Sequence, residues 1–524
     1  MTWLPLGDGA LLAQVEGAAR LARKLREEAI PECLDVVSSY HHLAVYFSPA
    51  DYDVVRAWLA ETGPSIEEGV ANSRTHHVLV KYDREIIQPL ADALELSVDE
   101  VISLHQSARY TVAAMGFSPG FPYLEGLPKE LFVPRRDLPV RIPAGTVAIA
   151  GEQAGIYPTD SFGGWHALGT TRFSLFDAER FPYSPLEPGD EIVFEAEDSP
   201  LREANFSEDD SIPAGHPVLE IISSATGTTV QDLGRPGFRH LGVTSGGAAA
   251  WESAMVANLL LGNEVGAPLI EFCLQVPEVT FLRDVTMAFV GIDHPGAGSP
   301  QRYRAGETLQ FRGRPTSSYG YLAIAGGFDV PEILGSAATD VRAGLGGRVL
   351  RVGDSLGQGK AVSQPILGPG QRVLWPGQPT KERLLTLRVL LGLQEEWFDE
   401  DSRESLTAGS FLKSAQFDRT GARLEGPSLM LEEARELTSQ PVVPGTIQVP
   451  PSGEPIVLTA ECQTIGGYPV IAHIISADLP AFTRALPGTQ IRFQKVTLKE
   501  ALEADRLRKR ELAFLKTGLQ LLLP

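Results

Sequence analysis

Two blocks dense in glycine and proline, one in each half of the chain, limit what it can fold into: Gly116-Phe-Ser-Pro-Gly-Phe-Pro-Tyr-Leu-Glu-Gly-Leu-Pro128 and Thr229-Val-Gln-Asp-Leu-Gly-Arg-Pro-Gly-Phe238. Glycine permits close backbone approach and proline fixes φ, so each block reads as a rigid, walled loop and not as a linker. Charged or aromatic side chains sit between the backbone-shaping residues. Two such loops in unlike halves predict a two-domain machine with a shared cleft.

Gly116-Phe117-Ser118-Pro119-Gly120 satisfies the G-x-S-x-G pattern of serine hydrolases, but the chemistry does not follow. That elbow needs an N–H on the residue after the serine and must run on into a helix. Pro119 has no N–H, and Pro122 and Pro128 forbid a regular helix interior. Ser118 is read as a turn residue.

At 524 residues the chain has room for about three or four domains, each with its own core. Its formal charge of -21 argues against a nucleic-acid partner, so local arginines must hold any anionic substrate. Cys33, Cys273 and Cys462 stand far apart with no C-x-x-C, indicating neither a disulfide framework nor a zinc site. A cytoplasmic location is expected. No stretch reaches the roughly 18 apolar residues of a membrane span, and no secretory leader is expected.

Hydrophobic periodicity predicts an α+β, mostly β chain. A strand near Trp3 to Leu6 precedes a helix with Leu11, Leu12, Val15, Ala18, Ala19, Ala22 and Leu25 on one face. Strands at Leu34 to Ser38 and Leu43 to Phe47, a helix near Tyr52 to Leu59 and a strand at His76 to Tyr82 complete βαββαβ, the order of a ferredoxin-like unit assigned to 1–95. Ser97-Val-Asp-Glu100 opens a capped helix, after which short β-branched runs predict a barrel over 96–200. An acidic linker is assigned to 201–216. Two further barrel units follow, over 217–378 and, with a C-terminal helix, over 379–524; a turn-rich stretch at 368–379 separates them. A helix across Ala248 to Leu261 interrupts the first of these.

Strand neighbours point to opposite faces, so neither His41-His42 nor His76-His77 chelates one metal ion. Gly359-Lys360 lacks the leading glycine and the hydroxyl of a phosphate-binding loop, so no Walker A site exists there. The helix start after Ser245-Gly246-Gly247 suits an anion, or is simply a capped turn. Asp232 and Arg235, inside a glycine-proline loop, point to ligand contact, and Gln231 belongs to the same block. Asp418-Arg419 and Gly466-Gly467-Tyr468-Pro469 repeat the pairing of a charge or phenol with constrained backbone, and arginine's planar fork matches carboxylate or phosphate oxygens. In the first half Pro143-Ala-Gly145, Gly151-Glu-Gln153, Gly155-Ile-Tyr157-Pro158 and Gly163-Gly-Trp165 form a similar series; Gln153, Tyr157 and Trp165 are its candidate contacts.

Together these blocks resemble the two allophanate hydrolase subunit families, one and two, also known as KipI and KipA proteins and as the B and C components of 5-oxoprolinase. The first pattern covers about 1–200, through Gly116 to Pro128 and Pro143 to Trp165. The second covers about 217–495, through Thr229 to Gly237, Tyr321-Leu-Ala-Ile-Ala-Gly-Gly327, Asp418-Arg419, Gly445-Thr-Ile-Gln448-Val-Pro450 and Thr464 to Pro469. The chain resembles a natural fusion of both. The resemblance implies cyclophilin-like β-barrel domains after the ferredoxin-like unit, ATP with Mg²⁺, and opening of 5-oxoproline or a related small lactam or amide together with a separate LamB/YcsF-type component of 5-oxoprolinase. It also implies a possible homo-oligomer. Similar domains form the carboxyltransferase part of urea carboxylase, but the chain shows no biotinyl-lysine motif.

The sequence departs from the family at Tyr82-Asp-Arg-Glu-Ile-Ile-Gln-Pro89, where a Tyr-Gly-Gly stretch is usual, at Glu461-Cys462, where Asp-Arg is common, and in a shortened turn after Gly347. On this reading Arg235 and Arg419 balance phosphoryl charge, Asp232 binds Mg²⁺ or accepts a proton, and Tyr468 orients the lactam. Tyr123, Gln153, Tyr157, Trp165, Gln231, Asp418, Gln448, Thr464, Gly466 and Gly467 are expected to line the substrate or nucleotide site. The alternatives are a histidine-kinase-inhibitor-like binding protein and a carboxyltransferase component served by a separate biotin carrier.

Overall fold

Short β-branched runs cut by glycine give strands of two to eight residues, and nearly all join a few closed or facing sheets. A computed structural model describes residues 1–62, 73–136, 138–197, 216–224, 227–311, 315–360, 373, 384–435 and 437–521. The linker assigned to 201–216 and the stretch 368–379 lie almost wholly outside the described residues.

The chain builds the same barrel twice. In the first, the ring runs Thr75–Tyr82, His166–Thr170, Thr146–Ala150, Gln153–Ile156, Pro122–Glu125, Tyr110–Met115 and Glu191–Ala196, which pairs in parallel with Thr75–Tyr82. In the second it runs Leu384–Leu391, Val470–Ile474, Thr446–Gln448, Ile456–Leu458, Gly421–Glu425, Phe411–Phe417 and Gln490–Lys495, closed by the same parallel pairing. Registers match at the strands that shape the mouths, while the bulge in Phe411–Phe417 holds one residue more than that in Tyr110–Met115. Tyr123 pairs with Gly155 and Arg423 with Ile456, while Gly155 pairs with Ala148 and Ile456 with Gln448. Gly145 and Gly445 open equivalent strands at φ 79° and 90°, where a Cβ would meet the carbonyls of Thr171 at 2.5 Å and Ile474 at 2.6 Å. Only glycine suits that turn. Each barrel also carries a two-stranded ribbon at its mouth: Val140–Ile142 with Ser161–Gly163, and Gln440–Pro441 with Ile465–Gly466.

The first strands depart from the periodicity in an informative way. The expected helix from Leu11 divides into strand Ala10–Gln14 and helix Ala18–Glu27. Leu11 and Leu12 are both buried, in cores on opposite faces of the sheet, so a doubly covered strand imitates a helical apolar run. The order βαββαβ is present, but its last strand, Thr75–Tyr82, is separated from Cys33–Ser39 by two strands of the barrel, whose core takes Val78 and Val80. At 82–89 the chain enters helix Arg84–Ala93, and the Asp83 carboxylate caps it by accepting from Glu85 N (3.0 Å) and Ile86 N (3.1 Å).

The unit expected as a barrel over 217–378 is a sandwich. Two five-stranded sheets face each other across Val218, Ile221, Ile270, Phe272, Phe289 and Leu322. The edge strands Thr308–Leu309, Phe328–Asp329, Thr229–Gln231 and Gln301–Tyr303 have only two or three residues, too short a ladder to close the sheets into a ring. The helix expected across 248–261 spans Trp251–Leu259. Helix Leu498–Leu521, opened by reciprocal Thr497 and Glu500 hydrogen bonds, packs Leu502 against the N-terminal core and Leu519 against the sandwich.

The halves interlock. Ile465, on the ribbon of the second barrel, enters the core at the mouth of the first, where a Cβ on Gly116 would lie 2.5 Å from Ile465 Cγ1. Arg239 stacks over Tyr46 at 5.0 Å and donates to the carbonyls of Val442 (2.8 Å) and Gln463 (3.3 Å). Asp35 accepts from the His240 backbone N–H (3.1 Å) and meets its Nδ1 at 2.9 Å. Gly116→Ala is expected to destabilise by about 1–3 kcal/mol through overpacking. Adding Ile465→Ala should recover part of that loss, a non-additivity measurable by a urea-unfolding double-mutant cycle.

Each barrel buries one histidine, His105 and His473, whose pKa burial lowers to about 3 and about 4. An unfolded histidine binds its proton near pH 6.5, so stability is full above that value and falls with acidification until the folded pKa is reached. The slope is roughly 1.4 kcal/mol per pH unit per histidine. Thermal melts at pH 7, 6 and 5 should show this loss, and His473→Gln should make it shallower.

Candidate functional site

The second signature loop meets the second barrel in a buried ion cluster. Arg419, on the loop between Phe411–Phe417 and Gly421–Glu425, donates through Nε to Glu461 (2.6 Å), through Nη1 to Glu271, and through Nη2 to Gly247 O (2.5 Å) and Gln231 Oε1 (3.2 Å). Burial works against its charge, but Glu271 and Glu461 outweigh that and hold it charged. Burial pushes the Glu461 carboxyl up to about 7 against the pull of Arg419. The helix start after Gly247 does receive an anion, and that anion is the protein's own Glu271: its Oε2 accepts from Ala249 N (2.8 Å) and from the Tyr321 hydroxyl (2.8 Å). Arg419 therefore joins sandwich to barrel, and its described hydrogen bonds all go to the protein.

Asp232 and Arg235 brace the same loop. The Asp232 carboxylate accepts from Gly234 N, Ser336 Oγ and Ala337 N, each at 2.7 Å. Arg235 is 1% exposed and donates to the carbonyls of Ile333 (3.3 Å) and Ala338. Its Nη1 is buried with no partner among the described residues, and burial lowers its pKa. Gln231 donates to Thr229 Oγ1 (3.0 Å) and Thr339 O (2.8 Å) while accepting from Arg419.

Tyr468, Asp418 and Gln448 come together in a cleft of about 450 Å³ at the mouth of the second barrel, with Gln463, Arg423, Arg342 and an apolar floor of Phe417, Ile456 and Leu458. Gln463 Nε2 donates to Gln448 Oε1 (3.4 Å), and Gln448 Nε2 reaches the Tyr468 carbonyl (3.5 Å). Gly466 allows that approach, since a Cβ there would lie 2.6 Å from Gln448 Nε2; Gly467 lies beside Ser439. Tyr468 is 46% exposed. Asp418 Oδ1 accepts from Thr420 N (2.7 Å) and Gly421 N (3.0 Å), which fixes the loop. Arg342 donates to Thr420 Oγ1 (3.0 Å) and Arg423 pairs with Glu454 (3.4 Å), both near the surface. Thr464 is elsewhere, at the seam by Gly116, its hydroxyl buried without a partner among the described residues.

The equivalent mouth of the first barrel is filled. Tyr157 and Trp165 pack edge to face on Phe121 and Tyr123 tilts against it, with ring centroids 4.9 to 5.7 Å apart, and Val443 and Ile465 of the other half complete the core. Gln153 donates to the Tyr40 hydroxyl at its margin. Burial pushes the Tyr123 phenol up to about 12 and raises Tyr157 as well. The Ser118 hydroxyl is buried in the seam with no hydrogen-bond partner among the described residues. The structure thus separates the candidates into an ion cluster (Gln231, Asp232, Arg235, Arg419), an open cleft (Asp418, Gln448, Gly466, Gly467, Tyr468) and a filled mouth (Tyr123, Gln153, Tyr157, Trp165). Sequence reasoning missed Glu271, a carboxylate inside the apolar strand Leu269–Cys273, and Tyr40, Arg423 and Gln463.

Twin barrels, one mouth filled and one open, mounted on a sandwich and an N-terminal α/β layer, define a paired carboxyltransferase-domain protein. The family model "Carboxyltransferase domain, subdomain C and D" matches residues 1–186, and "Carboxyltransferase domain, subdomain A and B" matches 241–495. The chain is 37% identical over 299 residues to the C component of 5-oxoprolinase from Escherichia coli (strain K12), covering 55% of this chain and 94% of that protein. It is 33% identical over 213 residues to the B component of 5-oxoprolinase from Haemophilus influenzae, covering 37% of this chain and 97% of that one. The crystal structure of TTHA0988 superposes with a TM-score of 0.80 at 34% identity, over 93% of this chain and 99% of that one. The chain belongs to the carboxyltransferase-domain family that includes the B and C components of 5-oxoprolinase, and it carries both parts in one polypeptide.

Arg419→Leu leaves Glu271 and Glu461 buried without their cation and is expected to destabilise by roughly 3–5 kcal/mol. Urea unfolding of the variant checks this; an unchanged midpoint would remove Arg419 from the structural role described.

Proposed function

We propose that the chain is the fused B–C component of an ATP-dependent 5-oxoprolinase-type amide hydrolase, and that the second-barrel cleft holds the lactam. One observation carries the reading: the cleft sets two linked side-chain amides, Gln448 and Gln463, and the Tyr468 phenol beside two guanidinium groups over an apolar floor. A lactam presents N–H and C=O along one edge, and a primary amide offers the complementary acceptor and donor. Arg342 and Arg423 suit the carboxylate of such a substrate, and Phe417, Ile456 and Leu458 suit its ring methylenes. The filled twin mouth, with Ala148, Tyr123 and Trp165 in place of Gln448, Arg423 and Tyr468, lacks this set.

An amide resists water because resonance makes it a poor electrophile, and ATP, when bound to the assembly, supplies the activation. The residues of this chain orient the ring and exclude water from its apolar side. Mg²⁺ does not fit Asp232, whose oxygens already accept three hydrogen bonds, and no group of three His, Cys, Asp or Glu among the described residues could hold a metal ion. Arg419 is fully engaged and Arg235 keeps one free nitrogen, so neither offers a triphosphate cradle. The reading leaves hydrolysis to a LamB/YcsF-type partner protein. A cytoplasmic site of action suits the three free thiols, and no helix among the described residues is long and apolar enough to cross a membrane.

Calorimetric titration with 5-oxoproline should show binding, and Arg423→Ala, Gln448→Ala and Tyr468→Ala should each weaken it about tenfold, roughly 1.4 kcal/mol, without lowering the melting temperature. ATP hydrolysis should require both the lactam and the LamB/YcsF-type partner. No lactam binding with or without that partner overturns the reading, and turnover that instead needs a biotinylated carrier would assign carboxyl transfer.

A further inference from the structure

The two barrel mouths differ at one position that the backbone aligns. Gly116 follows strand Tyr110–Met115 and donates through its N–H to Phe121 O (3.1 Å), while Asp418 follows strand Phe411–Phe417 and donates to Gly421 O (3.0 Å). Beyond these turns Pro122 pairs back with Met115, and Ala422 with Phe417, so Gly116 and Asp418 are equivalent. The filled mouth has no side chain where the open one has a carboxylate. In the first barrel the bare position admits Ile465; in the second, Asp418 occupies it and lines the cleft.

Asp418 is fixed by only one of its oxygens. Oδ1 accepts from Thr420 N (2.7 Å) and Gly421 N (3.0 Å), an Asx turn that holds the side chain over its short loop, and Oδ2 takes no hydrogen bond among the described residues. The residue is exposed, and it is the one carboxylate lining the cleft, whose other charges are the guanidinium groups of Arg342 and Arg423. With a lactam bound, Gln448 and Gln463 answer the amide edge and the guanidinium groups answer the carboxylate. Asp418 then faces a ligand that carries no cation, and its charge opposes the ligand's own carboxylate.

Ring opening supplies the missing charge. Water adds across the C–N bond: its hydroxyl goes to the carbonyl carbon and its hydrogen to the ring nitrogen, which becomes a primary amine. At neutral pH the proton of the new acid passes to that amine, leaving a carboxylate and an ammonium. We propose that Asp418 makes the cleft a site for the ring-opened α-amino acid as well as for the lactam, with the ammonium on Asp418, the α-carboxylate on Arg342 and Arg423, and the side-chain carboxylate on the amide N–H groups of Gln448 and Gln463. The inference rests on the reading that this cleft holds the lactam, and it adds regulation at the same site: the product competes with the substrate. Asp418 determines specificity by responding to the charge on the ligand's nitrogen.

Calorimetric titration of the full chain at pH 7 with 5-oxoproline, glutamate and glutarate tests this, glutarate being glutamate without its ammonium. Glutamate should bind about fivefold more tightly than glutarate and should raise the apparent Kd of 5-oxoproline in competition. Asp418→Asn should abolish the preference for glutamate over glutarate without lowering the melting temperature, because an asparagine Oδ1 still accepts from Thr420 N and Gly421 N. Equal binding of glutamate and glutarate, a preference that survives Asp418→Asn, or a bound lactam that glutamate fails to displace overturns the inference; lactam binding in the same titrations leaves the lactam reading standing. An Asp418-dependent preference for glutamate with no lactam binding does the reverse, supporting the ammonium site and removing the lactam assignment.

Discussion

A single guanidinium, buried where sandwich and second barrel meet, sets the terms for the second half of the molecule. Arg419 brings its charge into a site with little water and faces Glu271 and Glu461 there. Removing Arg419 leaves both carboxyls without a cation, so the cluster enforces one arrangement of the two elements even if its net contribution to stability is small. Because Arg419 lies between Asp418 and Thr420, the same residue that ties the domains together fixes one wall of the neighbouring cleft.

The repeated barrel shows how one ring of strands serves two purposes. Exchanging Tyr123 for Arg423, Ala148 for Gln448 and Trp165 for Tyr468 changes a dry aromatic core into a polar recess without altering strand order. Lys413 marks the same divergence in the interior. It stands where the first barrel has Val112, each opposite a leucine of the next strand. Its Nζ donates to the carbonyls of Phe482 (3.1 Å), Thr483 (3.3 Å) and Ala485 (2.7 Å) at the end of helix Leu479–Arg484. Burial lowers its pKa to about 7. A framework duplicated in this way tolerates polar insertions because the closed ring leaves no strand at an open edge.

Family membership and the mostly β character were legible in the glycine and proline blocks, since those residues answer to local backbone geometry. Gly145 and Gly445, and the Gly163-Gly164 and Gly466-Gly467 pairs, carry the duplication openly. Less legible was what the charges do. Asp232, Arg235 and Arg419 look like ligand-binding groups in a list of residues, yet their partners, Ser336, Ala338 and Glu271, lie 104, 103 and 148 positions away. Spacing along the chain holds no record of such pairings. The sandwich was read as a barrel for a similar reason: closure depends on edge-strand length, and periodicity does not report it. Leu11 and Leu12 show the limit from the other side, where burial on both faces erased the alternation that marks a strand.

The insertion of Ile465 at Gly116 has a consequence for how such an assembly is made. Where the two halves are separate polypeptides, that contact is a bimolecular event whose occupancy follows protein concentration. Within one polypeptide the same knob and socket meet at an effective concentration set by tether geometry, in the millimolar range for short connections. Stoichiometry between the halves is then fixed at synthesis, and a shortage of one cannot strand the aromatic mouth of the other in water.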